Sequence, residues 1–320
     1  MKNKHPDIPI TNELTMFNHV LQQGRTIGSL PQALLREGSK PSKDYLPSQD
    51  GFYFHPDSPL EIAKTPKRIS FMGTPTRAVG REDSRNNVFF GDLTLHSYRG
   101  RRHEHGVPVA VKPFLGLEKE DFLVRELQAI HDIGRIGLNG VKPIGVVKSG
   151  DNSFMVSLFE QEHITLDSID WQRISPEVRQ RTIRRGLLSL LELQTNDRVH
   201  GDADPRNLTI QPNLLGTWHV DLEHSTRAED PAKLLVGLKR DLLDFYTGLC
   251  KLEQKRPTIK DMVNDILFPY SELTTIMTAD SEGARKILTL LPLLHKELDR
   301  EFAGEPVSQA ERQYLISTLA

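Results

Sequence analysis

The spacing of apolar residues changes character part-way along the chain, and that change most constrains what it can fold into. Before Ser175 the apolar residues fall in short runs, RISFMG, DLTLHSYRG, VPVAVKPF, VKPIGVVKSG and NSFMVSLFE. Such runs read as strands, and VPVAVKPF, opened by Pro108 and dense in valine, is the strongest of them. One stretch breaks the pattern: from roughly Glu118 to Ile133, Phe122, Leu123, Glu126, Leu127 and Ile130 share one face of a helix. After Ser175 the periods lengthen. Ile183, Leu187, Leu190, Leu191 and Gln194 mark one amphipathic helix and LKRDLLDFYTGLCKL another, with two brief strand-like pieces, LTI at 208–210 and WHV at 218–220, between them. LLPLLHKELDREF reads as a core helix broken near Pro292. The expected class is α+β, a small antiparallel sheet with one helix followed by a mainly helical half.

At 320 residues the chain exceeds the roughly 150 of a typical domain, so two lobes are expected. Eight of its 20 prolines lie in the first 66 residues, among Lys, Ser, Asp and Gly. Residues 1–66 therefore read as an N-terminal extension, in which Leu14, Met16, Phe17, Val20 and Leu21 recur at helical spacing and can dock as one helix. A first lobe is expected over 67–160 and a second over 161–320, joined by a connector near Phe159 to Leu166. The single cysteine, Cys250, can form no internal disulfide or cysteine zinc cage and sits among leucines, which favours a reducing, cytoplasmic setting. The N-terminus carries no signal-like apolar run, and no stretch reaches the ~20 apolar residues of a membrane span.

A formal charge of −2 gives no indication of nucleic-acid binding, although ten Lys or Arg against four Asp or Glu between Lys64 and Lys112 leave a local acidic or nucleic-acid contact open. Twelve histidines show no ligand spacing of the H-E-x-x-H kind, and His103 and His105, flanked by arginines, read as a solvated loop.

The segment most informative about chemistry is HGDADPRNLTI, His200 to Ile210, followed by WHVDLEHS, Trp218 to Ser225. It sets Asp202 five residues before Asn207 on a loop entering a short strand, with Asp221 closing the next strand. Phosphoryl transfer needs a carboxylate to take or orient the proton of the attacking hydroxyl, and oxygen ligands that hold magnesium against the phosphates. Each residue alone has a structural reading, Asp202 or Asp204 as a turn with Pro205, Asn207 as a turn residue and Asp221 as a cap. Their order and spacing together favour the chemical one.

H-G-D-x-x-x-x-N followed 14 residues later by D-L-E resembles the catalytic and metal-binding loops of the protein-kinase-like superfamily, and Gly201 and Glu223 resemble its aminoglycoside and choline phosphotransferase branch most. The resemblance covers roughly residues 68–250. It implies a two-lobed protein-kinase-like fold using ATP or another nucleoside triphosphate with Mg2+. In it, Asp202 is the catalytic base, Asn207 and Asp221 are the metal ligands, and His200 braces the loop without moving a proton. The resemblance further implies a lysine on a strand and a glutamate on the following helix, and Lys112, ending VAVK, with Glu118, Glu120 or Glu126 supplies them in order. Glu126 is selected because it alone lies among the apolar positions that face the sheet, whereas the other two stand at the helix start, where acids are favoured by the dipole. The adenine is expected near Ser157, Leu158, Phe159 and Glu160, held by backbone groups.

The chain also departs from the pattern. No G-x-G-x-x-G precedes Lys112, so VGREDSRNNVFFG, Val79 to Gly91, with Arg77, Arg81 and Arg85 in or near it, is the candidate phosphate loop. Gly201 stands where many protein kinases carry an arginine that senses a phosphorylated segment, no A-P-E follows Asp221, and about 20 residues separate Glu223 from a helix expected at Asp241. The expectation is therefore γ-phosphoryl transfer to a hydroxyl of a small molecule or a protein. The rivals are an atypical protein kinase, a nucleotide-binding pseudokinase and a nucleotidyltransferase on the same fold.

Overall fold

The computed structural model describes residues 11–23, 27–35, 46–60, 66, 68–74, 88–99, 101–138, 140–159, 164–210 and 217–303. Helices and strands are both abundant, and the chain divides into two compact units, Met1–His131 with Val141–Glu160, and Asp132–Gly140 with Gln161–Ala320. Among the described residues no helix is long and apolar enough to cross a membrane.

The first unit is built on a seven-stranded sheet. Its elements are α1 (Thr11–Gln23), β1 (Ile27–Ser29), β2 (Gly51–Phe54), β3 (Arg68–Thr74), β4 (Phe89–Arg99), β5 (Arg101–Phe114), α2 (Glu120–Arg135), β6 (Pro143–Ser149) and β7 (Asn152–Leu158). The strand order is β1-β2-β6-β7-β5-β4-β3, with β1 parallel to β2 and every other neighbouring pair antiparallel. Alternation along β5 assigns the two faces. Val109 and Val111 turn to a core shared with Phe89, Phe154 and Val156 and with Phe17, Val20 and Leu21 of α1. Lys112 turns the other way and meets Glu126 of α2. Each helix therefore covers one face.

Three sequence expectations change here. Residues expected as an extension before the sheet supply α1 and two of its strands. The four residues of β2 are all buried, so that strand shows no alternation and its short apolar run is hidden between proline-rich flanks. His103 and His105 belong to β5, opposite Ser97 and Leu95 of β4, and not to a loop. Of the candidate phosphate loop, 79–87 lies outside the described residues, as do Arg77, Arg81 and Arg85, while Phe89, Phe90 and Gly91 open β4. Gly91 answers a packing need: a Cβ there would lie 2.5 Å from the Gly73 Cα across the β3–β4 pair.

The second unit contains β8 (Ile164–Thr165), α3 (Pro176–Gln194), β9 (Arg198–Val199), β10 (Leu208–Ile210), β11 (Thr217–His219), β12 (Thr226–Arg227), α4 (Pro231–Leu252), α5 (Ile259–Met262), a π turn (Val263–Leu267), α6 (Phe268–Met277) and α7 (Glu282–Ala303). The starts of α3 and α4 follow capping chemistry. Ser175 accepts from the Val178 N–H and Asp230 from the Lys233 N–H, each followed by proline at the first helical position. One apolar core joins Leu187, Leu190 and Leu191 of α3, Leu238, Leu242 and Phe245 of α4, Tyr270 of α6, and Ile287, Leu290 and Leu294 of α7. That packing carries α7 through Pro292 without a break, although proline removes a helical hydrogen bond at a cost of about 3 kcal/mol. The helix expected at Asp241 begins ten residues earlier, at Pro231, because Asp230 caps it, so the stretch after Glu223 is shorter than expected.

Phe17 is wholly buried and meets Phe71, Phe89 and Phe154 edge-on at centroid distances of 5.1, 5.8 and 5.5 Å. Phe17→Ala is expected to cost about 3–5 kcal/mol in urea unfolding, the range for emptying a buried aromatic site. A loss below about 1 kcal/mol would detach α1 from the core.

Candidate active site

Two groups of sequence-predicted residues come together, one in each unit. In the first, Lys112 of β5 and Glu126 of α2 form an ion pair with Nζ 2.7 Å from Oε2. Both are buried, the residues being 8 % and 1 % exposed. The Phe114 ring centroid lies 5.1 Å from the ammonium, and Met155 stands opposite the lysine on β7. The choice of Glu126 from its position on the helix matches this geometry, while Glu118 lies on a 3-10 turn (Leu117–Lys119) before α2. Glu120 has a partner that the sequence did not suggest, the buried Lys148 of β6. A lysine inside an otherwise apolar strand was its one available signal.

Ser157 and Leu158 end β7, and Phe159 follows. The Leu158 N–H donates to the Lys142 carbonyl at 2.9 Å and the Phe159 N–H to the Pro108 carbonyl at 3.0 Å. Ser157 Oγ donates to the Ala110 carbonyl at 3.4 Å. A base held by this stretch would therefore not use those two amides, and Glu160 lies outside the described residues.

In the second unit, His200–Asn207 forms a loop that passes through a 3-10 turn (Pro205–Asn207) into β10. Asp204 makes the turn, accepting from the Arg206 backbone N–H at 3.1 Å and from its guanidinium at 2.9 Å. The turn-stabilising role open to either aspartate thus falls to Asp204, leaving the Asp202 carboxylate for other contacts. Asn207 Nδ2 donates to the Asp202 carbonyl at 3.0 Å and to Asp202 Oδ2 at 3.1 Å, which leaves the Asn207 side-chain oxygen outside both bonds. The Val220 N–H donates to the Asn207 carbonyl at 3.0 Å and ties in the strand that leads to Asp221. Asp221 itself sits at φ 56°, ψ 57°, a left-handed conformation that aspartate tolerates better than most residues.

Electrostatics follow from this crowding. Partial burial, then the nearby charges of Asp221 and Asp204, push the Asp202 carboxyl above the usual carboxylate range. Burial holds the His200 imidazole down to about 4, so it is neutral at pH 7 and unsuited to shuttling protons. Its ring lies 5.4 Å from that of His219, likewise buried and held down to about 3.

The loop's backbone is fixed by a residue the site reading missed. Asp241, wholly buried in α4, accepts from the His200 N–H at 2.9 Å, the Gly201 N–H at 2.8 Å and Gln194 Nε2 at 2.9 Å, and Tyr270 in turn donates to Gln194 Oε1 at 2.7 Å. Its signal was present: Leu234, Leu238, Asp241, Phe245 and Leu249 recur at helical spacing, so a carboxylate lies in the apolar stripe. Gly201 adopts φ 79°, and a Cβ would lie 2.2 Å from the His224 carbonyl oxygen, so no side chain fits there.

A scan against protein-family models and a search of curated proteins each returned no match.

Burial pushes the Asp241 carboxyl up to about 6 from 3.8. The folded chain therefore holds a proton there that the unfolded chain has released, and this group's contribution to stability declines as pH rises from about 4 to about 6. Asp241→Asn should remove that slope and, by turning an amide N–H toward an N–H, cost about 1–3 kcal/mol per stranded donor. Urea unfolding of both proteins from pH 4 to 7 checks both effects.

Proposed function

We propose that this chain is a kinase-like phosphotransferase that moves the γ-phosphoryl group of ATP or another nucleoside triphosphate to a hydroxyl, on a two-lobed fold of the protein-kinase kind. The observation that carries the reading is the buried Lys112–Glu126 pair. A buried ion pair adds little stability over a well-packed apolar pair, so its retention favours a use for the ammonium. Held by Glu126, the ammonium would counter charge on nucleotide phosphates. The Asp202–Asn207 pair, with Asp221 two residues beyond β11, supports the same reading independently.

In this mechanism Asp202 accepts the proton of the attacking hydroxyl, whose oxygen bonds to the γ-phosphorus as the bond to the β–γ bridging oxygen breaks and ADP departs. A carboxyl pushed above the ordinary range is a better proton acceptor than a fully solvated one. The donor set fits magnesium. An amide oxygen of Asn207 and the Asp221 carboxylate are hard oxygen ligands, and the repulsion that Asp221 exerts on Asp202 is of the kind a dication relieves. When bound, the ion would supply positive charge beside the phosphates. Fixed by Asp241, His200 and Gly201 keep the loop backbone in register.

Incubation with γ- and α-labelled ATP, alone and with cell extract, tests the class. Label transferred from the γ position supports the proposal, label from the α position assigns nucleotidyl transfer, and binding without transfer assigns a nucleotide-binding protein. Asp202→Ala should lower the rate by about 10²–10⁴-fold with nucleotide affinity nearly unchanged, the range for losing a general base. Asp221→Asn should weaken the magnesium-dependent part of nucleotide binding. Lys112→Met combined with Glu126→Gln should lose scarcely more activity than Lys112→Met alone, since the glutamate serves through the lysine. Additive losses would separate the two.

A further inference from the structure

Residues 27–35 and 51–57 are placed to control α2. Beyond the Lys112–Glu126 pair, polar side chains among the described residues also tie α2 to the rest of the first unit. Glu120, its first residue, pairs with Lys148 of β6. Gln128 Nε2 donates to the Leu34 carbonyl at 2.7 Å, and His131 Nδ1 pairs with the Asp57 carboxylate. The last two partners come from these two pieces, which contain β1 and β2.

Both of these pieces are themselves held. Leu34 and Leu35, in a 3-10 turn (Gln32–Leu35), are buried, and the Leu30 N–H donates to the Phe54 carbonyl at 2.8 Å. In the second piece the His55 N–H donates to the Ile144 carbonyl at 2.9 Å, and the buried His55 Nδ1 accepts from the Asp57 N–H at 3.1 Å, setting the turn that presents the Asp57 carboxylate.

The geometry on the helix gives these contacts their meaning. At about 100° per residue, Gln128 lies about 200° round the axis from Glu126 and His131 about 140°. The buried apolar residues Leu123, Leu127 and Ile130 fall between them. Apolar packing resists rotation of a helix weakly because it has no direction, whereas hydrogen bonds on opposite flanks fix the rotation. We infer that residues 27–35 and 51–57 are a built-in brace that holds α2 in the rotation presenting Glu126 to Lys112, with Gln128 and His131 as positioning residues. As far as it concerns nucleotide binding, this inference rests on the function proposed above. Its structural content does not.

The test uses the full chain and an amine-reactive acetylating reagent, with labelling of Lys112 and Lys148 read by mass spectrometry. An ammonium held by a carboxylate is a poor nucleophile, so Lys112 in the wild type should label slowly. Asp57→Ala combined with Gln128→Ala should raise Lys112 labelling several-fold, to the level seen with Glu126→Gln, with no further rise when all three are combined. Lys148 labelling should not change, and His131→Gln, which keeps a donor toward Asp57, should stay near wild type. Should the double variant fail to fold by circular dichroism, Gln128→Ala alone carries the test, with a smaller rise at Lys112 expected. Unchanged Lys112 labelling in a folded brace variant overturns the inference, as does an equal rise at both lysines, which would mean general loosening. ATP titration of the same proteins separates the two proposals. If the wild type binds no ATP while Lys112 labelling rises as described, the brace stands and the phosphotransferase reading falls. If both hold, the brace variant should bind ATP several-fold more weakly, and adding Glu126→Gln to it should weaken binding little further.

Discussion

Lys112 and Glu126 have been taken out of water together, and much of the first unit is arranged around that. Removing two unit charges from solvent costs several kcal/mol per ion, and their mutual attraction offsets this only when the geometry is held tightly. The holding is visible. β5 is paired with β4 up to Val111 and with β7 through Lys112, which stands opposite Met155, so the strand that carries the lysine is held. The helix opposite is fixed by its own apolar face and by polar ties along its length. The aromatic cluster around Phe17 backs the same strands from the other face of the sheet.

The second unit meets a similar demand differently. Its loop has to keep three carboxylates, Asp202, Asp204 and Asp221, near one another, and their repulsion opposes the fold. Two devices hold the loop. Asp204 is consumed by Arg206 beside it, which lowers the local charge. Asp241 then grips two successive backbone N–H groups at the loop's start, while Gln194 of α3 donates to it and is itself held by the Tyr270 hydroxyl of α6. Close approach of α4 to the loop is equally specific: a Cβ on Gly248 would lie 2.2 Å from the Pro205 Cδ.

What could be read from the sequence followed from how far along the chain each cause acts. Element type was legible wherever periodicity was strong, as in β5, α2, α3 and α4, because the core imposes that pattern on the residues themselves. LTI at 208–210 coincides with β10. Glu126 was legible because a carboxylate on an apolar helix face must have a buried partner. The same rule applied to α4 finds Asp241, a carboxylate in the apolar stripe of that helix. Lys148 and the contribution of β1 and β2 were not legible. Their partners lie far away in sequence, and a strand buried on both faces loses the alternation that would announce it. The continuity of α7 through Pro292 belongs to the same class, since tertiary packing outweighed a local preference.

Two chemically similar pairs, Lys112–Glu126 and Lys148–Glu120, lie on one face of one sheet against one helix, and their surroundings set them apart. Lys148 stands one residue from the end of β6, just before the turn at Gly150, and pairs with the first residue of α2, where a helix is most prone to fray. A pair there anchors an end. Lys112 lies within the longest strand of the unit and reaches the second turn of the helix, where the backbone is already fixed by its own hydrogen bonds. The pair there fixes no helix end, so its burial cost has to be met by the rotation in which α2 is held. Under the function proposed above, it is this ammonium, and not that of Lys148, that would counter a ligand's negative charge.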